Sequence, residues 1–236
     1  MKNKFSIAIP AYNEEKNLEF LLPKIKNLLI GNNYEVLVID IKNPTDKTKD
    51  IVKKNGFKYL TREHDNSYGS AVRTAIKNAS GKYIIFMDAD GSHEPKMITK
   101  FIKESTNDYD IISASRYVNG GRTENPFLLN LMSRFLNLTF RLFLNIKMFD
   151  ISNSFKLYKK KDLKELKLLS NNFDIIQEMV IGICINKKEV KTMEIPLNFK
   201  KRKYGKTKRS LILFMITYLL TIIKLIYLKN KKNLFC

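Results

Sequence analysis

The sequence predicts an α/β fold in which helices flank a mostly parallel sheet. Short apolar runs alternate with segments of helical periodicity along most of the 236 residues, a pattern typical of strands joined by crossover helices. One apolar run, Tyr83–Met87, is bounded by Gly81 and Gly91 and continues directly into Asp88 and Asp90. Such a run is typical of a strand that is buried on both faces of a parallel sheet.

Each element is predicted from its periodicity and from the residues at its ends. The expected strands are Phe5–Pro10, Tyr34–Asp40, Gly56–Leu60, Tyr83–Met87, Asp110–Ser115 and Val190–Ile195. The expected helices are Asn17–Ile30, a short helix capped by Thr45 or Asp46, Ser67–Ala79, a helix beginning at Pro95, Asn125–Asn145 and Ile175–Ile185. A polar loop, Asp150–Lys156, is expected to enter a further strand.

Polar residues follow three of the predicted strands, and open α/β sheets bind their ligands at such strand ends. They are Tyr12 and Glu14, then Asp40, then Asp88 and Asp90. The sequence has no glycine-rich dinucleotide motif and no Walker loop, which counts against a dinucleotide dehydrogenase and a P-loop enzyme. A divalent cation on Asp90, approached by Asp88, together with several Arg or Lys side chains, would neutralise a bound diphosphate instead.

Charge is distributed unevenly along the chain, whose formal net charge is +20. No Asp or Glu follows Glu194, whereas eleven Lys and Arg lie between Ile195 and Cys236. Basic residues at 200–209 and 229–232 flank an apolar run at 211–228. This pattern favours an anionic membrane surface over a nucleic acid as partner, because nucleic-acid binding leaves the apolar run unexplained.

The apolar run at 211–228 predicts a C-terminal membrane-associated helix, either spanning or lying in the interface. We expect the protein at the cytoplasmic face of a membrane, held peripherally or by a single anchor. The helix Asn125–Asn145 is also apolar, and either membrane contact or ordinary packing accounts for it. Cys184 and Cys236 show no metal-ligand or disulfide spacing, which fits a reducing cytosol.

Several segments, in this order and spacing, resemble family 2 glycosyltransferases of the GT-A fold, and among these the dolichol- or polyprenyl-phosphate mannose synthases. Asp-x-Asp alone is also typical of a solvated turn, so the resemblance rests on the whole set. The matching segments are Pro10–Glu15, Asp40, Tyr68–Ala71, Asp88–Pro95, Ser115–Tyr117, Asp150–Phe155 and Phe199–Lys208. The resemblance implies a Rossmann-like GT-A domain at 1–209 and a membrane-associated segment at 210–236.

The resemblance also implies a chemistry and a set of residues. The reaction is an inverting transfer of a hexose from GDP-mannose or a UDP-hexose to a polyprenyl phosphate, with Mg²⁺ or Mn²⁺ as cofactor. The catalytic residues are Asp88, Asp90, Arg116 and Arg202, and the metal ligands are Asp88, Asp90 and Ser92. The nucleotide-sugar contacts are Pro10, Tyr12, Glu14, Val38, Asp40, Asp88, Ala89, Asp90, Arg116, Arg202 and Lys208. The acceptor contacts are Arg134, Asp150 and Ser154.

Two alternatives stay open at this point. In the first, the acceptor is a sugar hydroxyl of a surface glycan or a lipid-linked oligosaccharide, and Asp150 or Glu178 would serve as the general base. Alternatively, the chain is a catalytically inactive, membrane-bound protein that binds nucleotide sugars. The segment Ile41–Asn43 departs from the family, which often has a second acidic residue after the one that matches Asp40, so the base and the sugar are not assigned from the sequence.

Overall fold

A computed structural model describes residues 4–144, 146–205 and 223. The strands are β1 (Phe5–Pro10), β2 (Tyr34–Asp40), β3 (Lys58–Thr61), β4 (Tyr83–Phe86), β5 (Ile111–Ser115), β6 (Arg122–Thr123), β7 (Lys156–Lys159), β8 (Thr192–Pro196) and β9 (Asn198–Phe199). The helices are α1 (Glu15–Leu28), α2 (Thr48–Lys54), α3 (Tyr68–Asn78), α4 (Lys96–Glu104), α5 (Phe127–Leu144), α6 (Lys160–Lys164) and α7 (Ile175–Asn186), with a 3-10 turn at Ser105–Asn107.

Seven strands form the main sheet in the order β3-β2-β1-β4-β7-β5-β8, and β6 pairs with β9 in a small second sheet. The pairs among β1, β2, β3 and β4 are parallel, as is the pair of β5 with β8. Strand β7 lies between β4 and β5 and is antiparallel to both. The predicted mostly parallel sheet is therefore confirmed, and its antiparallel member is an addition that the pattern of β7 did not indicate.

The helices cover both faces of the sheet with apolar side chains. One face is packed by α1, α2 and α4, through Leu18, Leu22, Val52, Ile98 and Phe101. The other face is packed by α3, α5 and α7, through Ala71, Ala75, Phe140, Met179 and Val180. Burial of each large apolar side chain contributes about 1.5–3 kcal/mol, so these two layers hold the strand ends in place.

Most predicted element ends differ from the observed ones by one or two residues, and the starts of β3 and α2 show why. Strand β3 begins at Lys58 rather than Gly56, because Gly56 has a φ of +77° and closes α2 by donating its N–H to Lys53 O over 2.9 Å. Helix α2 begins at Thr48, with Lys47 rather than Thr45 or Asp46 at the cap position. Asp46 nevertheless accepts the Thr48 N–H at 3.0 Å and the Glu15 N–H at 2.9 Å, so its carboxylate joins the starts of α1 and α2.

Within the described ranges, no helix combines the length and the apolar character that crossing a bilayer requires. The predicted boundary after residue 209, Lys208 and all but one residue of the apolar run 211–228 lie outside those ranges. The predicted C-terminal membrane-associated helix therefore stays a prediction.

Candidate active site

Polar residues at several strand ends meet at one edge of the sheet. Strands β1, β2 and β4 are neighbours and parallel, so the residues that follow them lie together. Antiparallel β7 starts beside the end of β4, where Lys156 pairs with Phe86, which brings the loop 150–154 to the same edge. Strands β5 and β8 end there too, and they deliver Arg116 and the segment containing Arg202.

The Asp88 carboxylate lies at the centre of this edge. Its Oδ2 accepts the Ser154 hydroxyl at 2.9 Å, and its Oδ1 accepts the Tyr68 hydroxyl at 3.4 Å. Burial raises the pKa of Asp88, and the nearby Asp90 carboxylate raises it further. The charged form of this carboxylate is therefore disfavoured, and a bound cation would stabilise it.

A buried histidine fixes the backbone that carries Asp88. The Asp88 N–H donates to His93 Nδ1 at 3.0 Å. Since Nδ1 is an acceptor, the ring proton is on Nε2, which donates to Asn153 Oδ1 at 3.2 Å. Asn153 in turn donates to Ala114 O at 2.6 Å, and the His93 ring stacks on Phe155 with centroids 4.7 Å apart. The imidazole therefore joins β4, β5 and the loop 150–154 behind the site.

Ser92, two residues further along the chain, orients the Asp90 carboxylate, and Arg202 from a distant segment faces it. Its Oδ1 accepts the Ser92 N–H at 3.0 Å and the Ser92 hydroxyl at 2.6 Å. Its Oδ2 lies 3.5 Å from Arg202 Nη1. Ser92 is a donor here and orients the carboxylate, while its place as a metal ligand stays a prediction.

The donor set of this edge fits a hard divalent cation. Asp88 and Asp90 supply carboxylate oxygens, and Arg202 already places a positive group beside Asp90. No cluster of three or more His, Cys, Asp or Glu side chains suited to a metal occurs among the described residues. A cation here would therefore take its remaining ligands from water and phosphate, as Mg²⁺ usually does.

Arg202 connects the two ends of the site. Its Nη2 donates to Glu14, its Nε donates to Tyr204 O at 2.7 Å, and its Nη1 faces Asp90. Glu14 also accepts an N–H from Asn17 at 2.7 Å. Glu14 and Arg202, which the sequence suggested separately, thus form one ion pair across the site.

Asp40 lies on the β2 side of the site and has no direct cation partner among the described contacts. Its carboxylate accepts the Ile41 N–H at 2.9 Å, the Asn13 N–H at 3.3 Å and the Tyr59 hydroxyl at 3.3 Å. Burial raises its pKa. An exposed Tyr12 ring lies nearby with the Arg62 guanidinium 5.7 Å from its centroid, and it offers a flat apolar surface for a nucleobase.

The three apolar residues among the proposed nucleotide contacts, Pro10, Val38 and Ala89, are buried. The Val38 side chain is fully buried among the core residues, so only its backbone is available to a nucleotide, and that contact stays a prediction. Pro10 and Ala89 are buried as well and can only shape the floor of the site.

Arg116 is engaged with Asp150, which the sequence did not indicate. Arg116 Nε and Nη2 donate to the two Asp150 oxygens at 2.8 and 2.7 Å, and the Arg116 N–H donates to Oδ2 at 2.9 Å. Nη2 also contacts the Ser133 and Ser152 hydroxyls. Burial alone would raise the pKa of Asp150, but the Arg116 guanidinium overrides it and the pKa is lowered. Phosphate binding by Arg116 stays a prediction, and it must coexist with this bidentate pair.

The two carboxylates considered as general bases both already accept hydrogen bonds from other groups of the protein. Asp150 holds Arg116 and is fully buried. Glu178 accepts the Leu169 N–H with both oxygens, at 3.1 and 3.0 Å, and the Ser170 N–H at 2.8 Å. A carboxylate that is stabilised in its charged form is a poor proton acceptor, so neither residue is suited to activate a sugar hydroxyl.

The proposed acceptor residues do not all lie together. Ser154 is bonded to Asp88, and Asp150 lies behind it with Arg116. Arg134 is on α5, where its guanidinium lies 4.6 Å from the Tyr117 ring centroid. Tyr68, His93, Asn153 and Asn17 also shape the site, and of these only Asn17 lies outside the segments that resemble the family.

Comparisons with known proteins agree with this geometry. The model of the family described as "Glycosyl transferase family 2" matches residues 6–167. A dolichol-phosphate mannosyltransferase from Pyrococcus furiosus is 36% identical over 212 residues; the match covers 87% of this chain and 59% of that protein. This chain therefore spans less than two thirds of that relative's length.

Solved structures show the same fold at low sequence identity. Glucosyl-3-phosphoglycerate synthase from Mycobacterium tuberculosis, with Mn²⁺, UDP and phosphoglyceric acid, has a TM-score of 0.75 at 16% identity, covering 95% of this chain and 78% of that one. The same enzyme with Mg²⁺ and UDP has a TM-score of 0.72 at 17% identity, covering 94% and 79%. These likenesses confirm a GT-A-like fold, and the family match shows that the chain belongs to glycosyl transferase family 2.

Proposed function

We propose that the chain transfers a hexose from a nucleotide sugar to a polyprenyl phosphate, with inversion at the anomeric carbon. The observation that carries the proposal is the carboxylate pair Asp88 and Asp90, whose side chains are 26% and 23% exposed at the sheet edge, with Arg202 facing Asp90. A nucleoside diphosphate requires positive charge, and this edge offers both a place for a divalent cation and a guanidinium.

The donor site would be built by residues of β1, β2, β4 and the Arg202 segment. Mg²⁺ or Mn²⁺ held by Asp88 and Asp90 would stabilise the charge that develops on the departing nucleoside diphosphate. Arg202 would bind phosphate oxygens, Tyr12 would stack on the base, and Asp40 would accept an N–H of the base. Uracil and guanine both present such an N–H, so the geometry leaves GDP-mannose and UDP-hexoses as candidate donors.

An acceptor that is already ionised fits this site, because the two carboxylates that could serve as a base already bind other groups of the protein. A phosphate monoester loses its second proton near pH 6 and needs no strong base at neutral pH. A sugar hydroxyl does need one, but Asp150 is paired with Arg116 and Glu178 is held by backbone N–H groups. The name of the Pyrococcus relative, a dolichol-phosphate mannosyltransferase, supports the same choice.

The test is a panel of radiolabelled GDP-mannose, UDP-glucose and UDP-N-acetylglucosamine, each with polyprenyl phosphate in vesicles and Mn²⁺. We expect one donor to give a labelled, lipid-extractable product. Matched reactions contain polyprenol without phosphate, or the Asp90→Asn variant, and should give none. Label that appears only on a glycan acceptor would favour the hydroxyl-acceptor alternative. Nucleotide-sugar binding without any transfer would favour the inactive binding protein.

We further propose that α5 contacts the membrane in which the acceptor lies. Of its side chains, Phe140 and Asn137 are buried, whereas an apolar stripe is exposed: Phe127, Leu128, Leu131, Phe135, Leu138 and Leu142. No Asp or Glu occurs between Glu124 and Asp150, while Arg134, Arg141 and Lys147 do. Apolar side chains with basic neighbours fit an anionic lipid surface. The proposal includes the location of the protein at the cytoplasmic face of that membrane.

Vesicle flotation tests the contribution of α5. Phe135→Ser with Leu142→Ser should weaken binding to vesicles that contain anionic lipid, whereas Phe20→Ser, at an exposed apolar residue of α1, should not. Truncation after Arg209 separates this contribution from that of the basic tail. Unchanged flotation of the α5 variant in the truncated chain would contradict a role for α5.

A further inference from the structure

A short segment crosses the opening of the candidate site, and we call residues 199–205 the strap. Its backbone pairs with the loop that carries Asp90: Lys203 N–H donates to Asp90 O at 3.0 Å, and Lys200 N–H donates to Ser92 O at 3.1 Å. Arg202 is the residue of the strap that enters the site. The position of Arg202 therefore depends on what holds the strap at its far end.

The far end of the strap is held by the side chain of Asn17, in the first turn of α1. Its carboxamide Nδ2 donates to Tyr204 O at 3.2 Å, and its Oδ1 accepts the Tyr204 N–H at 3.2 Å. The side chain thus pairs with the Tyr204 backbone as a neighbouring strand would. Asn17 is 5% exposed, so water does not readily replace these bonds.

Asn17 also contacts both groups that orient Arg202. Its Nδ2 donates to Glu14 Oε2 at 2.7 Å, while Glu14 Oε1 accepts from Arg202. Tyr204 O, which Asn17 binds, accepts Arg202 Nε at 2.7 Å. With Nε and Nη2 held in this way, Nη1 is left facing Asp90 at 3.5 Å.

The chemistry of this position requires a carboxamide. Two donors and one acceptor are used at once, and only Asn or Gln provides both on a planar group. Gln is longer by one methylene in a buried position, and Asp would place a second carboxylate against Glu14. The Gly205 φ of +76° turns the chain at the last residue of the strap, so Asn17 pairs with Tyr204, the residue directly before that turn.

We propose that Asn17 is a positioning residue that clamps the strap across the site and so presents Arg202 to the diphosphate of the donor. The clamp itself follows from contacts in the free protein. The part that concerns the diphosphate rests on the proposed function. A role confined to the stability of α1 would leave the strap and nucleotide binding unchanged.

Trypsin provides a direct test, because Lys200, Lys201, Arg202 and Lys203 place four cleavage sites in the strap. Cleavage requires local opening of the chain. Without any ligand, Asn17→Ala should increase the rate of cleavage at these bonds by about tenfold, as expected for the loss of two hydrogen bonds, with the sites mapped by mass spectrometry. Asn78→Ala, which removes a comparable carboxamide from α3, should leave the rate unchanged. Equal rates in the Asn17 variant and the wild type would overturn the clamp.

Calorimetric titration with UDP or GDP in the presence of Mn²⁺ tests the positioning of Arg202. Asn17→Ala should weaken binding of the nucleotide that the wild type prefers by about tenfold. In an Arg202→Ala background the same substitution should have little further effect, because both changes act through one guanidinium. A full tenfold loss in that background would overturn the proposal. If neither nucleotide binds the wild type while the trypsin difference persists, the proposed function fails and the clamp stands.

Discussion

The aspartates at the two sides of the site have opposite surroundings. After β2 and β4, Asp40 and Asp88 have raised pKa values because desolvation disfavours their charged forms and neither is directly bonded to a cation. Asp150 is as fully buried as Asp40, yet its pKa is lowered because Arg116 forms a bidentate pair with it. A strand-end carboxylate is therefore available to a ligand where no cation of the protein already pairs with it.

Asp150→Asn should have the largest effect, and it acts on stability. It leaves Arg116 as a buried cation without its partner, which typically costs about 3–5 kcal/mol. The measurement is urea unfolding at pH 7. As a control, Lys77→Met removes the more exposed pair with Glu63 and should cost less than about 1 kcal/mol. Lost transfer activity with unchanged stability would instead place Asp150 in the chemistry.

Asp90→Asn should act on activity and leave stability nearly unchanged. Removing a charge that holds the cation should reduce transfer by at least about 100-fold, and excess EDTA should do the same to the wild type. Mn²⁺ binding, followed by electron paramagnetic resonance, should weaken in parallel. Asp50→Asn, at an exposed position of α2, is the control for charge removal. Full activity in EDTA would contradict a metal-dependent donor site.

Arg202→Lys should have an intermediate effect. Lysine keeps the charge but cannot reach Glu14, Tyr204 O and Asp90 at once, because it lacks the planar fork of arginine. We expect about a tenfold loss of kcat/KM for the donor nucleotide sugar. Lys201→Ala, in the same segment, should be close to the wild type. Wild-type kinetics for Arg202→Lys would show that Arg202 contributes charge alone.

Asp40→Asn should have the smallest effect on stability, and of opposite sign to that of Asp150→Asn. A carboxyl whose pKa is raised by folding binds protons more readily in the folded state, so its charge destabilises the fold at pH 7. Asparagine still accepts the Ile41 and Asn13 N–H groups, so the thermal midpoint at pH 7 should rise slightly. The difference should shrink as the pH falls toward about 4, where both states become protonated. Nucleotide affinity should fall, and a lower thermal midpoint would contradict this account.

For Asp150 the pH dependence of the stability should have the opposite sign. Its folded pKa is lowered, so the charged form contributes stability at pH values above the ordinary aspartate pKa of about 4. That contribution is lost as the pH falls through the lower, folded value. The stability gap between wild type and Asp150→Asn should therefore narrow only in acid.

Most strands and helices could be predicted because their signals are local. The alternation of apolar runs with helical periodicity places β1, β2, β4 and α3 within a few residues of their predicted ends. The direction of β7 could not be predicted, since the pattern of the four residues Lys156–Lys159 does not specify how the strand runs relative to its neighbours. Its antiparallel insertion nevertheless brings Ser154 to Asp88.

By itself, the sequence determined the strand-end carboxylates, the absence of a glycine phosphate loop and the family to which the chain belongs. Those features depend on residues that are close together in the chain. Only the tertiary structure decided which charged side chains pair with each other. Arg116 pairs with Asp150, 34 positions away in the sequence, and Arg202 pairs with Glu14, 188 positions away. Pairing over such distances depends on where the strands end in space, because an ion pair forms only between side chains that the packed sheet brings within a few ångströms.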